Sequence, residues 1–569
     1  MASFDGPSRR AQLPRTIEVE AVTVAEPISP DYRAITIIAS LISIVAFLHY
    51  SRAGELLLYG DAVAHMNIAR RVVDSRTPGL LQLGTVWLPL PHLLMLPFVW
   101  STALWSSGVA GAIPSMVAFV VSVGGLFRLM WRGLSFLPNY RDQARFIAWF
   151  AALVYALNPN LLYLQSTAMT ETIYLALYIW ATVYICEFAI HLYRGDDKPA
   201  RASLVGCAVF LCLGALTRYD GWFAAAIYAV AALALLISAS LRSGLEPFHF
   251  LYERTWRRTV LAFIGILAIT PTAWFTYNAL TFGDPLSFAR GPYSARAIEQ
   301  RTRKLGDPHH PGWEAPQVAA LYLVKSAELN VATTERSQKM WLYAGLLGAV
   351  MTVGFIRPLW PWLLLWIPVP FYAISIAWGG VPIFIPTWWP FSYYNVRYGT
   401  QLIPAMVVFG SLLLYLFLRK FSSRRTQFAI AALGIVFVAW SYYGVWREAP
   451  ISLREARVNS VDRMAIEKEL AAQVEQLPAN STVLIYLGEH GGALQRIGFP
   501  LKRTINEGNY RYWQSSLLNP ARMADYVIAT EGDPVSDAIK KRPEGLTVVS
   551  VVTALRQSPV RIYRSNMGR

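Results

Sequence analysis

Three carboxylates stand where acid–base chemistry could be done beside a membrane. Asp61 lies in YGDAVAHMNIARR, Glu171 in LQSTAMTET and Asp220 in LTRYDGW. Each also has an ordinary structural reading. Asp61 is placed to cap a short amphipathic helix over 61–76, where its carboxylate accepts a backbone N–H and favours the helix dipole. Glu171 precedes an apolar run that starts at 172, so it reads as a first-turn glutamate. Asp220 follows Arg218 and Tyr219, and the two charges could close a local ion pair of little consequence. What raises all three is position. They come from separate stretches of sequence, yet all fall at the outer ends of apolar helices on one side. Acids at one level could line one cavity and act as base or metal ligand.

Basic and aromatic residues share that side. SYYNVRYGTQLIPA places Arg397 and Tyr398 just before an apolar run, and the long loop 281–338 carries Arg290, Tyr293 and His309. An arginine outside the membrane and close to a helix start runs against the usual charge bias. A lipid phosphate would hold it through bidentate hydrogen bonds, and a structural salt bridge is the alternative. His65, in the same stretch as Asp61, joins the candidates for substrate contact, with Arg218, Tyr219 and Asp220. YLGEHGGALQ puts Glu489 and His490 after a strand and before a glycine pair. That strand-end loop could face the membrane site, or be a plain turn.

The elements that must position these residues are transmembrane helices. The chain of 569 residues is 55% hydrophobic and 15% charged, against about 25% charged in soluble domains. A spanning helix needs about 20 mainly apolar residues. Apolar runs of that order occur at 34–50, 110–130, 146–161, 172–192, 202–216, 221–240, 259–280, 341–356, 361–378, 401–418 and 427–446. These predict about eleven helices. With the N-terminal tail 1–33 in the cytoplasm, nearly every basic cluster beside a helix end falls on the cytoplasmic side. The net charge of +16 is thus explained by loops facing anionic lipid, which argues against nucleic acid as a partner. The stretch VWLPLPHLLMLPFVWSTALW (86–105) is apolar enough to span, but counting it would invert the charge pattern of the following loops. Its prolines and tryptophans predict one or two helices lying at the outer interface.

From about 447 the composition becomes polar. Apolar segments at 482–487, 525–530, 546–552 and 560–564 predict strands, and 459–476 a helix. That makes 447–569 a small external α/β domain following a membrane domain over 34–446. Cys186, Cys207 and Cys212 lie in apolar runs, which argues against a disulfide framework. No Cys/His grouping has zinc spacing. No cofactor or metal is expected with certainty, although a divalent cation could bind where two acids converge.

These motifs resemble the C-type (GT-C) superfamily of membrane glycosyltransferases, close to the protein mannosyltransferase and aminoarabinose transferase type. The resemblance covers roughly 34–446. It rests on GDAVAHMNIARR, WLPLPHLLMLP, PNLLYLQSTAMTE, LTRYDGW and NVRYGTQLIPA, and above all on their order and common side. It implies a sugar donor linked to polyprenyl phosphate and transfer to an acceptor hydroxyl on the external face, with inversion. It makes Asp61 the general base, Glu171 the second-loop acid that positions substrate, and Arg397 the holder of the donor phosphate. The acceptor could be a lipid, a glycan or a protein. The C-terminal domain does not resemble the β-trefoil insert of eukaryotic protein mannosyltransferases, which points toward a bacterial inner membrane and away from a protein acceptor. A protein O-mannosyltransferase and a non-catalytic transporter of lipid-linked sugars are the competing readings. Transporters carry charges near the midplane of interrupted helices, whereas these spans are nearly free of ionisable residues.

Overall fold

The computed structural model describes residues 30–137, 141–291, 294, 295, 297 and 308–567. Tyr293 and most of the N-terminal tail lie outside them. Nine helices among the described residues are long and apolar enough to cross a membrane. The first is α1 (Pro30–Arg52). After it come four short elements of the first loop: α2 (Gly60–Val73), a 3-10 turn at Leu80–Leu83, α3 (Leu90–Val99) and α4 (Thr102–Ser107). At 1.5 Å per residue a helix of ten residues reaches about 15 Å, half the thickness of the hydrocarbon core. The segment 86–105 thus folds as two short helices, as its prolines suggested.

Next come α5 (Val109–Ser135) and α6 (Arg141–Ala156). The apolar run 146–161 is broken here, because the Asn158 side chain accepts the N–H groups of Asn160 and Leu161 and starts a new short helix, α7 (Pro159–Leu164). Four long helices and a short one follow: α8 (Glu171–Arg194), α9 (Asp197–Ala215), α10 (Asp220–Arg242), α11 (Arg254–Phe282) and α12 (Ser287–Arg290). Helix α8 is apolar on every side and is buried along most of its length, as expected of the centre of a bundle. Helix α11 exposes Leu261, Ile264, Ile269 and Leu280, which suits a lipid-facing edge.

The last part of the bundle holds α13 (Pro316–Val331), α14 (Glu335–Phe355), α15 (Pro368–Gly379), α16 (Ile403–Lys420) and α17 (Arg424–Glu448). Helices α6 and α14 match expected spans but fall outside the nine. A sharp turn at Ala449, with φ of 67°, leads into α18 (Ile451–Glu475). This helix starts eight residues earlier than its sequence signal.

The C-terminal sheet has five strands in the order β2-β1-β3-β5-β4. They are β1 (Val483–Ile485), β2 (Thr504–Ile505), β3 (Tyr526–Thr530), β4 (Leu546–Val552) and β5 (Val560–Ser565). Strands β2, β1 and β3 are parallel, and β3, β5 and β4 antiparallel. Strand β2, at two residues, is too short to leave a pattern in sequence. The sheet is tied to the first loop through α19 (Leu487–Arg496) and the turns after it. Arg71 pairs with Glu507 at 3.2 Å, and the Asp74 carboxylate accepts the backbone N–H groups of Leu501 and Lys502.

Candidate active site

Five elements bring their first or last turns to one place. Asp61 sits in the first turn of α2, Glu171 in the first turn of α8 and Asp220 in the first turn of α10. Arg397 lies on the 3-10 turn Val396–Leu402 that leads into α16, and Glu455 on the first turns of α18. The capping reading of Asp61 fails. The cap position of α2 is Tyr59, and no side chain caps that end.

Instead the Asp61 carboxylate accepts Arg397 Nη2–H at 2.6 Å. Arg397 Nε–H donates to Glu171 Oε1 at 3.1 Å and Nη1–H to Glu455 Oε1 at 2.9 Å. A second arginine shares Glu171. Arg218 Nη1–H donates to Glu171 Oε1 and to the Thr170 hydroxyl, its Nε–H to Asp220 Oδ2, and its Nη2–H to the Tyr372 hydroxyl. Gln401 Nε2–H closes the far end on Asp220 Oδ2 at 2.7 Å. The Tyr398 ring packs against both guanidinium groups, 5.1 Å from Arg218 and 5.2 Å from Arg397. Asp220 is therefore part of a buried network rather than a lone surface pair. Four carboxylates face two arginines.

The turn that carries Arg397 is held by its backbone. Asn395 adopts a left-handed conformation, φ 56°, which asparagine tolerates. Its N–H donates to Glu455 Oε1, and the N–H of Arg397 donates to Glu455 Oε2. The Val396 carbonyl accepts from Asn330 on α13. A side chain on Gly399 would collide with the backbone of Ser326 and Ala327, so glycine lets α13 press against the turn. Glu455 thereby fixes both the main chain and the side chain of Arg397.

The remaining candidates divide. Tyr398, Arg218 and Asp220 belong to the cluster. His65 lies in α2, buried, with Nδ1 2.9 Å from His92 Nε2. Burial, then the charges of Arg218 and Arg397, push its pKa down to about 3, so it is neutral. Tyr219 donates its hydroxyl to the Val86 carbonyl and stacks on Phe288. It buttresses the cluster without touching its charges. Arg290 is exposed at the end of α12 and is not in the network. Glu489 and His490 do not form a loop over the site. They lie in α19, whose helix turns their chain against the second half of α2, where Gln495 meets Asn67. Glu489 is exposed, and its charge acts on Asp533 of the C-terminal domain. His490 is buried with no hydrogen-bond partner at either ring nitrogen among the described residues, and burial pushes its pKa down to about 4.

Glu455, Tyr372 and Gln401 are the residues that sequence reasoning missed. Among the described residues no three His, Cys, Asp or Glu side chains group around a metal position. The arginines stand between the acids and meet them directly.

No family model matches this chain, and no curated protein matches it. Solved structures do. The chain is similar to ArnT from Cupriavidus metallidurans, in a crystal structure bound to undecaprenyl phosphate. The TM-score is 0.53 at 11% identity, over 93% of this chain and 97% of that one. The archaeal oligosaccharyltransferase AglB from Archaeoglobus fulgidus, in complex with an inhibitory peptide and a dolichol-phosphate, matches with a TM-score of 0.47 at 12% identity. That match covers 88% of this chain and 69% of that one. The chain thus shares its overall fold with ArnT: a polytopic helix bundle with a C-terminal α/β region.

Proposed function

We propose that this chain is a glycosyltransferase that moves a sugar from a polyprenyl-phosphate donor to an acceptor hydroxyl on the external face of a membrane, with inversion. One observation carries the reading. Of the three carboxylates on Arg397, Glu171 and Glu455 are each 1% exposed, whereas the Asp61 side chain is 44% exposed. The cluster therefore presents a single carboxylate outward and keeps the rest as its support.

The chemistry follows from that asymmetry. An acceptor hydroxyl is a poor nucleophile at neutral pH, and a carboxylate within hydrogen-bond reach takes its proton as it attacks. The oxygen of the acceptor bonds to the anomeric carbon, the bond from that carbon to the phosphate oxygen breaks, and the polyprenyl phosphate leaves with the electron pair. Its charge must be met. Arg397 is saturated by acids, so it can meet the phosphate only by exchange. The phosphate takes Nη2–H from Asp61, the one partner open to solvent. That exchange frees Asp61 to turn toward the acceptor. Arg397 is then both the phosphate holder and the device that keeps Asp61 idle until a donor arrives. Glu171 and Glu455 orient Arg397 throughout. The fold shared with ArnT, which was crystallised with undecaprenyl phosphate, supports a lipid-linked donor.

The test is transfer itself. The purified chain in lipid nanodiscs is given a panel of polyprenyl-phosphate sugars with radiolabelled sugar, together with lipid and glycan acceptors from a cell envelope. Transfer with inverted anomeric configuration is expected from one donor class. Folded protein that transfers nothing across the panel would sink the reading.

A further inference from the structure

A second polar site lies outside the catalytic cluster, between α14 and α17. A cleft of about 450 Å³ opens there, lined by Thr333, Thr334, Ser337, Trp440, Tyr443 and Arg447. The two helices meet beneath it, where Trp341 Nε1–H donates to Ser441 Oγ at 3.1 Å. Gly444 on α17 makes the close approach. A Cβ there would stand 2.7 Å from Thr333 Oγ1, so any larger residue would push that hydroxyl away.

Three features define what fits. Arg447 is exposed and makes no ion pair among the described residues, which leaves its guanidinium donors for a ligand. Glu448 also borders the cleft, but its carboxylate is offset by Arg454 at 3.8 Å. Trp440 and Tyr443 are 64% and 61% exposed, and Leu433 and Val436 continue the apolar face of α17 along the bundle. An exposed apolar helix face with aromatic residues at its polar end is the pattern of a lipid-facing surface at the membrane interface. The cleft thus joins one free cation and a row of hydroxyls to a wall for hydrocarbon chains.

From this we infer that the cleft binds an anionic glycerophospholipid, with its phosphodiester on Arg447 and the hydroxyls of Thr333 and Ser337, the latter held by a hydrogen bond from Thr334, and its acyl chains along α17. The charge count selects this occupant. A phosphodiester carries one negative charge, which a single arginine can meet beside a glutamate that has Arg454 on its other side. A polyprenyl monophosphate approaches two charges and needs more. The site stands one sharp turn from α18, whose Glu455 holds Arg397, so the bound headgroup braces the helix that supports the catalytic arginine.

Native mass spectrometry of the full chain in detergent, titrated with phosphatidylglycerol, phosphatidylcholine or polyprenyl phosphate, tests this without any assay of transfer. The first phosphatidylglycerol should bind about tenfold more tightly than phosphatidylcholine, the worth of one charge-assisted hydrogen bond at an exposed site. Arg447→Gln should abolish that preference, and Arg447→Lys should restore part of it. Melting temperature and monodispersity report on folding of each variant. No preference in the wild-type chain overturns the inference, as does an unchanged preference in folded Arg447→Gln. If Arg447→Gln instead weakens only polyprenyl phosphate, the cleft belongs to the carrier lipid and the inference is wrong.

Discussion

Helix α2 carries two polar clusters, and they are built on different rules. Near its end, Arg70 is absorbed by Asp74 and the Val99 and Trp100 carbonyls, Arg71 by Glu507, and Asp74 by two backbone N–H groups. Charges there are matched to nearby partners, and the result is a seam that fastens the C-terminal domain. At its first turn, Asp61 meets an arginine 336 residues away, which also holds acids from α8 and α18. Acids outnumber arginines there, and the one acid left open is the one at the surface. Balanced, closed pairs mark attachment. An unbalanced cluster assembled from distant segments, with one group facing out, marks a site for chemistry.

That contrast can be broken most severely at Arg397. Arg397→Met would leave Asp61, Glu171 and Glu455 with no common cation, two of them buried. Removing one partner from such a network costs about 3–5 kcal/mol. A large drop in the thermal aggregation temperature of the detergent-solubilised protein should follow. An unchanged temperature would mean that the cluster is not electrostatically strained.

Glu455→Gln is the next largest change. It keeps the size and the acceptor for the Asn395 N–H but weakens the hold on Arg397. A drop in kcat for transfer of about tenfold to a hundredfold is expected from loosened orientation, with donor KM changed little. An equal loss in kcat and stability, tracking the folded fraction, would reduce Glu455 to a structural residue.

At the seam the effect should be smaller and of another kind. Arg71→Met leaves the partly buried Glu507 with only the Leu487 N–H, which costs about 1–3 kcal/mol. Hydrogen exchange should rise in 487–509, while transfer per folded molecule stays the same. Loss of transfer without loosening would mean that the seam belongs to the site.

At neutral pH the smallest effect is that of His490, which shows only in acid. His490 has a folded pKa of about 4, below its ordinary value near 6.5. A group held neutral in this way contributes stability that is present above its unfolded pKa and is lost as pH falls toward the folded one. The melting temperature should therefore decline between about pH 6.5 and pH 4, and His490→Gln should flatten the decline. Identical pH profiles for the two proteins would remove His490 as its source.

Most of the cluster was legible in sequence because each member stands at a helix start on the same side. Asp61, Glu171, Arg218, Asp220 and Arg397 all follow from hydropathy and the charge bias of loops. Glu455 was not legible, since in ISLREARVNSVDR it looks like any acid among arginines on an amphipathic helix. Only the tertiary fold turns it inward. Tyr372 and Gln401 sit within apolar segments where nothing marks a polar partner 152 or 181 residues away. Glu489 and His490 drew attention as a strand end before two glycines, but the glycines serve packing: Gly491 and Gly492 let α19 lie close to Asn67 and Glu467.

Asp61 is proposed as the base which the rest of the cluster holds ready. That role is tested most directly by comparing wild type with Asp61→Asn at equal abundance in membranes, measuring both sugar transfer and binding of the polyprenyl-phosphate donor. Transfer should fall at least about a hundredfold while donor binding is kept or strengthened, because asparagine competes less for Arg397. Equal transfer by the two proteins would contradict it.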